Sequence, residues 1–280
     1  MFKQILSAAL LLAAAAAHGE QFDLLIRGGT IIDGTGKPAF AADIGVRRGK
    51  IAFIGDARGA TATRVIDATG LTVTPGFIDT HNHAVDQMIE MNVQGKSAAT
   101  NEAYLLQGVT TVVGGPDGAL SVAETKSTIA RYATAPFGTN YAFYAGHNGI
   151  RQAVMGHAQR APTRRELDQM KSMVREAMQL GAVGLSTGLM YDPGMFSKTS
   201  EVIALAREVK PFGGIYDSHV RNPATDLIAS DAEAIEIGRA AGIPVKIAHE
   251  KAAGRRNFGR MKQIIAMIEQ ARAEGHEVVT

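Results

Sequence analysis

Seven short apolar runs, spread along residues 73–280, constrain this chain more than any other feature. They lie at 73–79, 109–114, 140–145, 182–186, 214–219, 244–248 and 276–280, and segments of helical pattern separate several of them. Thr163-x-x-Glu166 is a capping-box pattern ahead of a helix through Leu180, with Gly181 as its stop. The segment 200–210 reads as a helix ending at Pro211; another, with Ser230-x-x-Glu233 as its cap or within it, stops near Gly242; 260–274 stops at Gly275. Such alternation predicts parallel strands joined by right-handed crossovers. No Gly-x-Gly-x-x-Gly or Walker sequence opens the first helix, which disfavours a nucleotide-binding open sheet. The expected fold is therefore α/β, a (β/α)8 barrel of the TIM type. Thr280 falls inside the seventh strand, so the barrel is incomplete as written. Either the product is longer, or the chain exposes an unpaired strand edge.

The residues before this alternation read differently. Phe22 to Arg27 alternates apolar and polar residues, and Gly28-Gly29 is expected to turn the chain. Ile31-Ile32, Ala42 to Val46, Ile51 to Ile54 and Val65-Ile66 add short strand signals. Residues 20–72 are thus expected to form a small β-domain, and 73–280 the barrel. At the start, Lys3, the apolar stretch Ile5 to Ala17 and the small-residue end Ala17-His18-Gly19 resemble a signal peptide over residues 1–19. The stretch is short for a membrane span, which needs about 20 apolar residues. The expectation is a periplasmic or secreted protein with no membrane span after signal removal.

Composition narrows the chemistry. A formal net charge of +2 without a dense Lys/Arg stripe gives no reason to expect a nucleic-acid partner. The chain has no cysteine, so any metal must use imidazole, carboxylate or a modified lysine. The run Pro75-Gly76-Phe77-Ile78-Asp79-Thr80-His81-Asn82-His83 places two histidines at the exit of the first barrel strand. Side chains at i and i+2 of a strand leave the same face, so His81 and His83 can grip one ion. His219 closes the strand from Gly213, and His249 closes the strand from Ile243. A barrel places its chemistry at these strand ends. Four imidazoles at one rim are costly to desolvate without partners, and zinc is a natural one.

Other residues leave alternatives open. Asp117, in Gly114-Gly115-Pro116-Asp117-Gly118, follows the second strand; it is a further metal ligand or an ordinary turn residue. Arg221 and Lys251 each stand two residues beyond a histidine. They are candidates to hold a substrate carboxylate or to polarise an oxygen, against simple surface solvation. Tyr191 can donate its hydroxyl to substrate or sit in the core. His147 is expected to line the pocket without being a ligand.

Together these residues resemble the amidohydrolase superfamily, and within it the N-acyl-D-amino-acid deacylases (D-aminoacylases). The likeness covers about residues 20–280. It rests on Pro75 to His83, Gly108 to Val113, Gly146-His147 through Arg151 with Val154-Met155-Gly156, and Gly184 to Leu189 with Tyr191 and Pro193. It continues through Tyr216-x-Ser218-His219-x-Arg221 and His249-x-Lys251 with Gly254. The resemblance implies a barrel on a small β-sandwich built from both ends of the chain, with residues 20–72 as its first part. It implies one or two zinc ions, or another divalent metal, and hydrolysis of N-acyl-D-amino acids to a carboxylate and a free D-amino acid. His219 and His249 match ligands of the tightly held metal, and His81 and His83 those of the second position. Tyr191, Arg221 and Lys251 match residues that contact substrate. Where the family usually has a cysteine ligand, this chain has Asp117, a departure that alters metal affinity and preference. The family's catalytic aspartate, at the end of strand 8, has no position before Thr280. A related dipeptidase, a cyclic-amide hydrolase and a non-catalytic periplasmic binding or structural remnant are the alternatives. Oligomeric state is not legible.

Overall fold

The computed structural model describes residues 19, 21–84, 101–134 and 137–280. The expected signal segment lies outside these residues except for Gly19. The described chain forms two compact units, one ending at Gly76 and one spanning Phe77–Thr280.

The first unit is a five-stranded sheet: β1 (Gln21–Ile31), β2 (Phe40–Arg47), β3 (Lys50–Gly55), β4 (Thr61–Asp67) and β5 (Thr72–Val73). Strand β1 is its centre, antiparallel to β2 and parallel to β4 and β5. Phe22 and Leu25 pack with Ala57 and Ala60 beneath it. Gly28-Gly29 does not turn the chain, as alternation alone suggests. The strand runs through it as an irregularity in register between Ile26 and Gly29, and Gly28 takes φ 71°. Glycine suits such a bulge because it adopts positive φ without a steric penalty.

The expected single strand at 73–79 is two. Thr72–Val73 pairs with β1, whereas β6 (Phe77–Asp79) begins the second unit. Pro75 stands between them and has no N–H to give a ladder. In the second unit β6 pairs with β7 (Val109–Gly114), and β7 with β8 (Asn140–Phe143). Then β9 (Ala145–Gly146), β10 (Gly184–Gly188), β11 (Ile215–His219), β12 (Val245–Ile247) and β13 (Val278–Val279) continue in chain order. Every pairing in this unit is parallel. β8 and β9 are one run interrupted at Tyr144, whose N–H still donates to Gly114 O at 3.0 Å. The seven expected runs thus appear in the predicted order, as a three-stranded sheet β6–β8 and a five-stranded sheet β9–β13.

The helices between strands are α1 (Glu102–Leu105), α2 (Val122–Tyr132), α3 (His147–Met155), α4 (Arg164–Gln179), α5 (Thr199–Ala206), α6 (Leu227–Ala241) and α7 (Met261–Ala273). The Thr163 box forms: Glu166 N–H donates to Thr163 Oγ1, and Thr163 N–H to Glu166 Oε2 at 2.7 Å. Helix α4 buries Met170, Val174, Ala177 and Met178, a 3.6-residue stripe, and stops at Gly181 with φ 103°. Each larger side chain buried there contributes about 1.5–3 kcal/mol. Ser121-x-x-Glu124 builds the same box on α2. The helix expected to run to Pro211 ends at Ala206, and Pro211 lies in a separate 3-10 turn, Lys210–Phe212. Ser230 and Glu233 lie inside α6. The main core, including Leu185, Tyr216, Ile247 and Ile264, is formed by strands and the helices packed on them.

Candidate metal centre

The strand exits and one tight turn carry the site. After β6 the chain folds on itself: His81 N–H donates to Asp79 Oδ1 at 3.1 Å, and Asn82 Nδ2 to Asp79 O at 2.9 Å. Tyr144 Oη donates to Thr80 O at 3.1 Å. His219 is the last residue of β11, and His249 follows β12 with φ 41°. Asp117 lies in the 3-10 turn Pro116–Gly118 at φ 57° and ψ 18°. Both are in the left-handed region, which Asp and His enter more readily than most residues but still at a cost. Ser186, on β10, holds the Asp117 turn from both sides: its Oγ donates to Gly115 O at 2.6 Å and accepts from Gly118 N–H at 3.1 Å.

These elements bring all five predicted ligands together. Asp117 Oδ1 lies 3.4 Å from His81 Nε2 and 3.3 Å from His219 Nδ1, and Oδ2 lies 3.5 Å from His83 Nε2. His249 Nε2 stands 2.8 Å from His219 Nδ1. Donor atoms of His81, Asp117 and His249 all fall within 4.8 Å of one another. Of the two readings of Asp117, the geometry favours more than a turn residue, because its carboxylate faces three imidazoles.

The fit to a metal rests on what these groups lack. His81 Nε2 and Asp117 Oδ1, which face each other at 3.4 Å, are buried and make no hydrogen bond; His219 presents Nδ1 to the cluster, and its buried Nε2 also makes none. Buried polar atoms without partners are rare and destabilising. Imidazoles plus one carboxylate are a donor set that suits zinc or a similar divalent ion. The charges of the cluster are interlocked. Burial pushes Asp117 up, but His219 and His81 outweigh it and hold the carboxyl well below its usual range. Burial alone would lower His81; Asp117 and Asp217 overcome it and raise the ring to about 9. Burial, then Lys251 and the neighbouring imidazoles, push His249 down to about 4.

The remaining candidates divide. Tyr191 Oη lies 3.5 Å from His219 Nδ1, so it borders the cluster. Lys251 Nζ donates to His249 Nδ1 at 3.0 Å. Arg221 has its fork on Glu233, through Nε and Nη2 at 2.8 Å each, and gives Nη1 to Met195 O. His147 is fully buried and bonded to Glu201 and Asn148. Two residues that touch the site escape the motif reading: Asp217, bonded to His81, and Lys246, bonded to Asp217. Strand alternation held the clue, because Asp217 is two residues before His219 and shares its face.

Comparison with known proteins gives a consistent result. Residues 64–209 match the model of the Amidohydrolase family. The chain is 37% identical to the D-aminoacylase of Alcaligenes xylosoxydans xylosoxydans, over 92% of its own length and 56% of the relative's. A solved D-aminoacylase with a binuclear metal centre superposes with a TM-score of 0.81 at 34% identity, covering 92% of this chain and 57% of that one. The N-acyl-D-glutamate deacylase of Bordetella bronchiseptica, solved with zinc and a phosphonate mimic of the tetrahedral intermediate, gives 0.78 at 35% identity, covering 92% and 58%. The chain thus spans little more than half the length of these relatives.

Proposed function

The chain belongs to the amidohydrolase family, and from that premise we propose that it forms the metal-binding part of a zinc-dependent deacylase of N-acyl-D-amino acids. The products are a carboxylate and a free D-amino acid. One observation carries the reading: five donor residues converge at the strand exits, and two facing donor atoms, His81 Nε2 and Asp117 Oδ1, are buried without a hydrogen bond. The similarity to D-aminoacylase supplies the substrate class.

His81, His83, Asp117, His219 and His249 would hold one or two ions. When bound, zinc lowers the pKa of a water and polarises a carbonyl. Tyr191, 42% exposed beside His219, is placed to donate its hydroxyl to an oxygen at the mouth. Lys251 is exposed and offers a point charge to the substrate carboxylate. Arg221 does so less freely, because Glu233 already occupies its fork. Asp117 is a poor base for the attacking water: its neighbours hold it ionised and weakly basic.

The test uses the full-length gene product, loaded with zinc, on matched N-acyl-D- and N-acyl-L-amino acids, following free amino acid. Metal-dependent release from the D-series supports the proposal. No release from either series, with metal content confirmed, rejects it, and ring opening of cyclic amides instead would redirect it. A periplasmic or secreted location, read from residues 1–19, belongs to the same proposal, and sequencing the mature N-terminus checks it.

A further inference from the structure

Asp217 and Lys246 lie in the wall of parallel strands, and the deacylase reading assigns neither a task. Their strands put them in one row: Ser186 of β10 is in register with Asp217 of β11, and Asp217 with Lys246 of β12. Ser186 holds the turn that carries Asp117. Asp217 is fully buried, and its two oxygens divide their work. Oδ1 accepts from Lys246 Nζ at 3.0 Å, and Oδ2 meets His81 Nδ1 at 3.0 Å.

The chemistry of that second contact decides the ring. An imidazole that binds a metal through one nitrogen keeps its hydrogen on the other, and Asp217 Oδ2, 3.0 Å from His81 Nδ1, is placed to accept it. A metal would then meet Nε2, the buried atom without a hydrogen bond that faces Asp117. Lys246, its side chain 12% exposed, reaches the other Asp217 oxygen and fixes the carboxyl group inside the wall.

We propose that Asp217 is the positioning residue that presents His81 to a metal through Nε2, and that Lys246, bonded to its other oxygen, holds Asp217 in place for that task. This rests on the metal-centre reading. It assigns the row Ser186–Asp217–Lys246 as the floor that orients two ligands, Asp117 and His81. Outer partners of this kind commonly change metal affinity by about 10–100-fold.

Two charge-balanced variants of the full-length protein separate orientation from wall stability. Asp217→Asn with Lys246→Met removes both charges but keeps an oxygen to accept from His81. Asp217→Leu with Lys246→Met removes that acceptor as well. Zinc affinity by chelator competition, the visible spectrum of the cobalt-loaded protein and the thermal midpoint are read on each. We expect the Asn/Met protein to bind zinc within about threefold of the unmutated protein. The Leu/Met protein should bind about 10–100-fold more weakly, with a weakened cobalt spectrum and a similar thermal midpoint. Equal zinc affinity and equal spectra in the two variants would overturn the proposal. Nitrogen-15 spectra of the unmutated zinc-loaded protein decide the matter even if a variant does not fold. A proton on His81 Nδ1 with zinc on Nε2 is expected, and zinc on Nδ1 refutes it. If the unmutated protein binds no metal at its histidines, the metal centre itself fails and this proposal fails with it.

Discussion

Two buried knots of imidazole and carboxylate stand in the second unit, and they differ in what is left over. In the first, Arg151 gives Nη1 to both oxygens of Glu201 at 2.9 and 2.8 Å, and Nε to Pro193 O at 3.1 Å. Its Nη2 serves Ala158 O and Arg160 O, and His147 reaches Glu201 Oε1 at 3.1 Å. Both ring nitrogens and all three guanidinium nitrogens are engaged. In the second knot, His81, Asp117 and His219 each keep a buried atom with no hydrogen bond. Burial and charge are common to both. Of the two, only the second leaves buried donor atoms without hydrogen bonds, while the first ties the chain at Pro193.

Asp231 refines the contrast. Both its carboxyl oxygens are buried and without hydrogen bonds, yet burial and then Glu250 push its pKa up, the reverse of Asp117. A carboxyl among carboxyls is satisfied by a proton; one among imidazoles by a cation. An orphaned oxygen is therefore a sign of a metal only when its neighbours bring the right charge.

The largest effect should come from breaking the saturated knot. Glu201→Ala leaves Arg151 buried and unpaired, and should cost about 3–5 kcal/mol in urea unfolding of the full-length protein. A loss under about 1 kcal/mol would mean the knot is not the brace described. His219→Ala should act on the other quantity: zinc affinity falls by more than about 100-fold, beyond what outer partners cost. Unchanged zinc content after that substitution would remove His219 from the ligand set. Ser186→Ala should lie between these behaviours, because it frees the turn under Asp117. A stability loss of about 1–3 kcal/mol is expected, together with weaker zinc binding; stability loss with undiminished zinc binding would separate the turn from the centre.

The smallest effect tests the proton argument. Asp231 is raised in the folded protein, so its contribution is present below the unfolded carboxyl value of about 3.9 and is lost as pH rises through the folded value. Asp231→Asn should remove that loss. Its stability advantage should grow as pH rises from 4 through neutrality. A flat difference across that range would show that Asp231 does not carry the proton.

Much of the framework was legible because it is local. The strand runs, the Thr163–Glu166 box and the stops at Gly181, Gly242 and Gly275 depend on neighbours a few residues away. Errors arose where two local signals competed. Gly28-Gly29 reads as a turn but is absorbed by a strand paired on both sides, and Pro75 splits what hydrophobicity joins. The histidines could be nominated from strand ends alone. Asp117 could not be settled, since Pro-Asp-Gly describes a turn whether or not its carboxylate meets imidazoles 34 to 102 residues away in sequence.

By itself, then, the sequence determined the parallel order of the strands and the four histidines at their exits, since hydrophobic period and strand polarity need no distant partner. Tertiary structure alone decided that Asp117 joins them, that Glu233 occupies Arg221's fork, and that Asp217 and Lys246 stand behind His81. Those pairings join residues from different strands, loops and helices. They exist only once register and packing bring the groups within about 3 Å, the reach of a hydrogen bond.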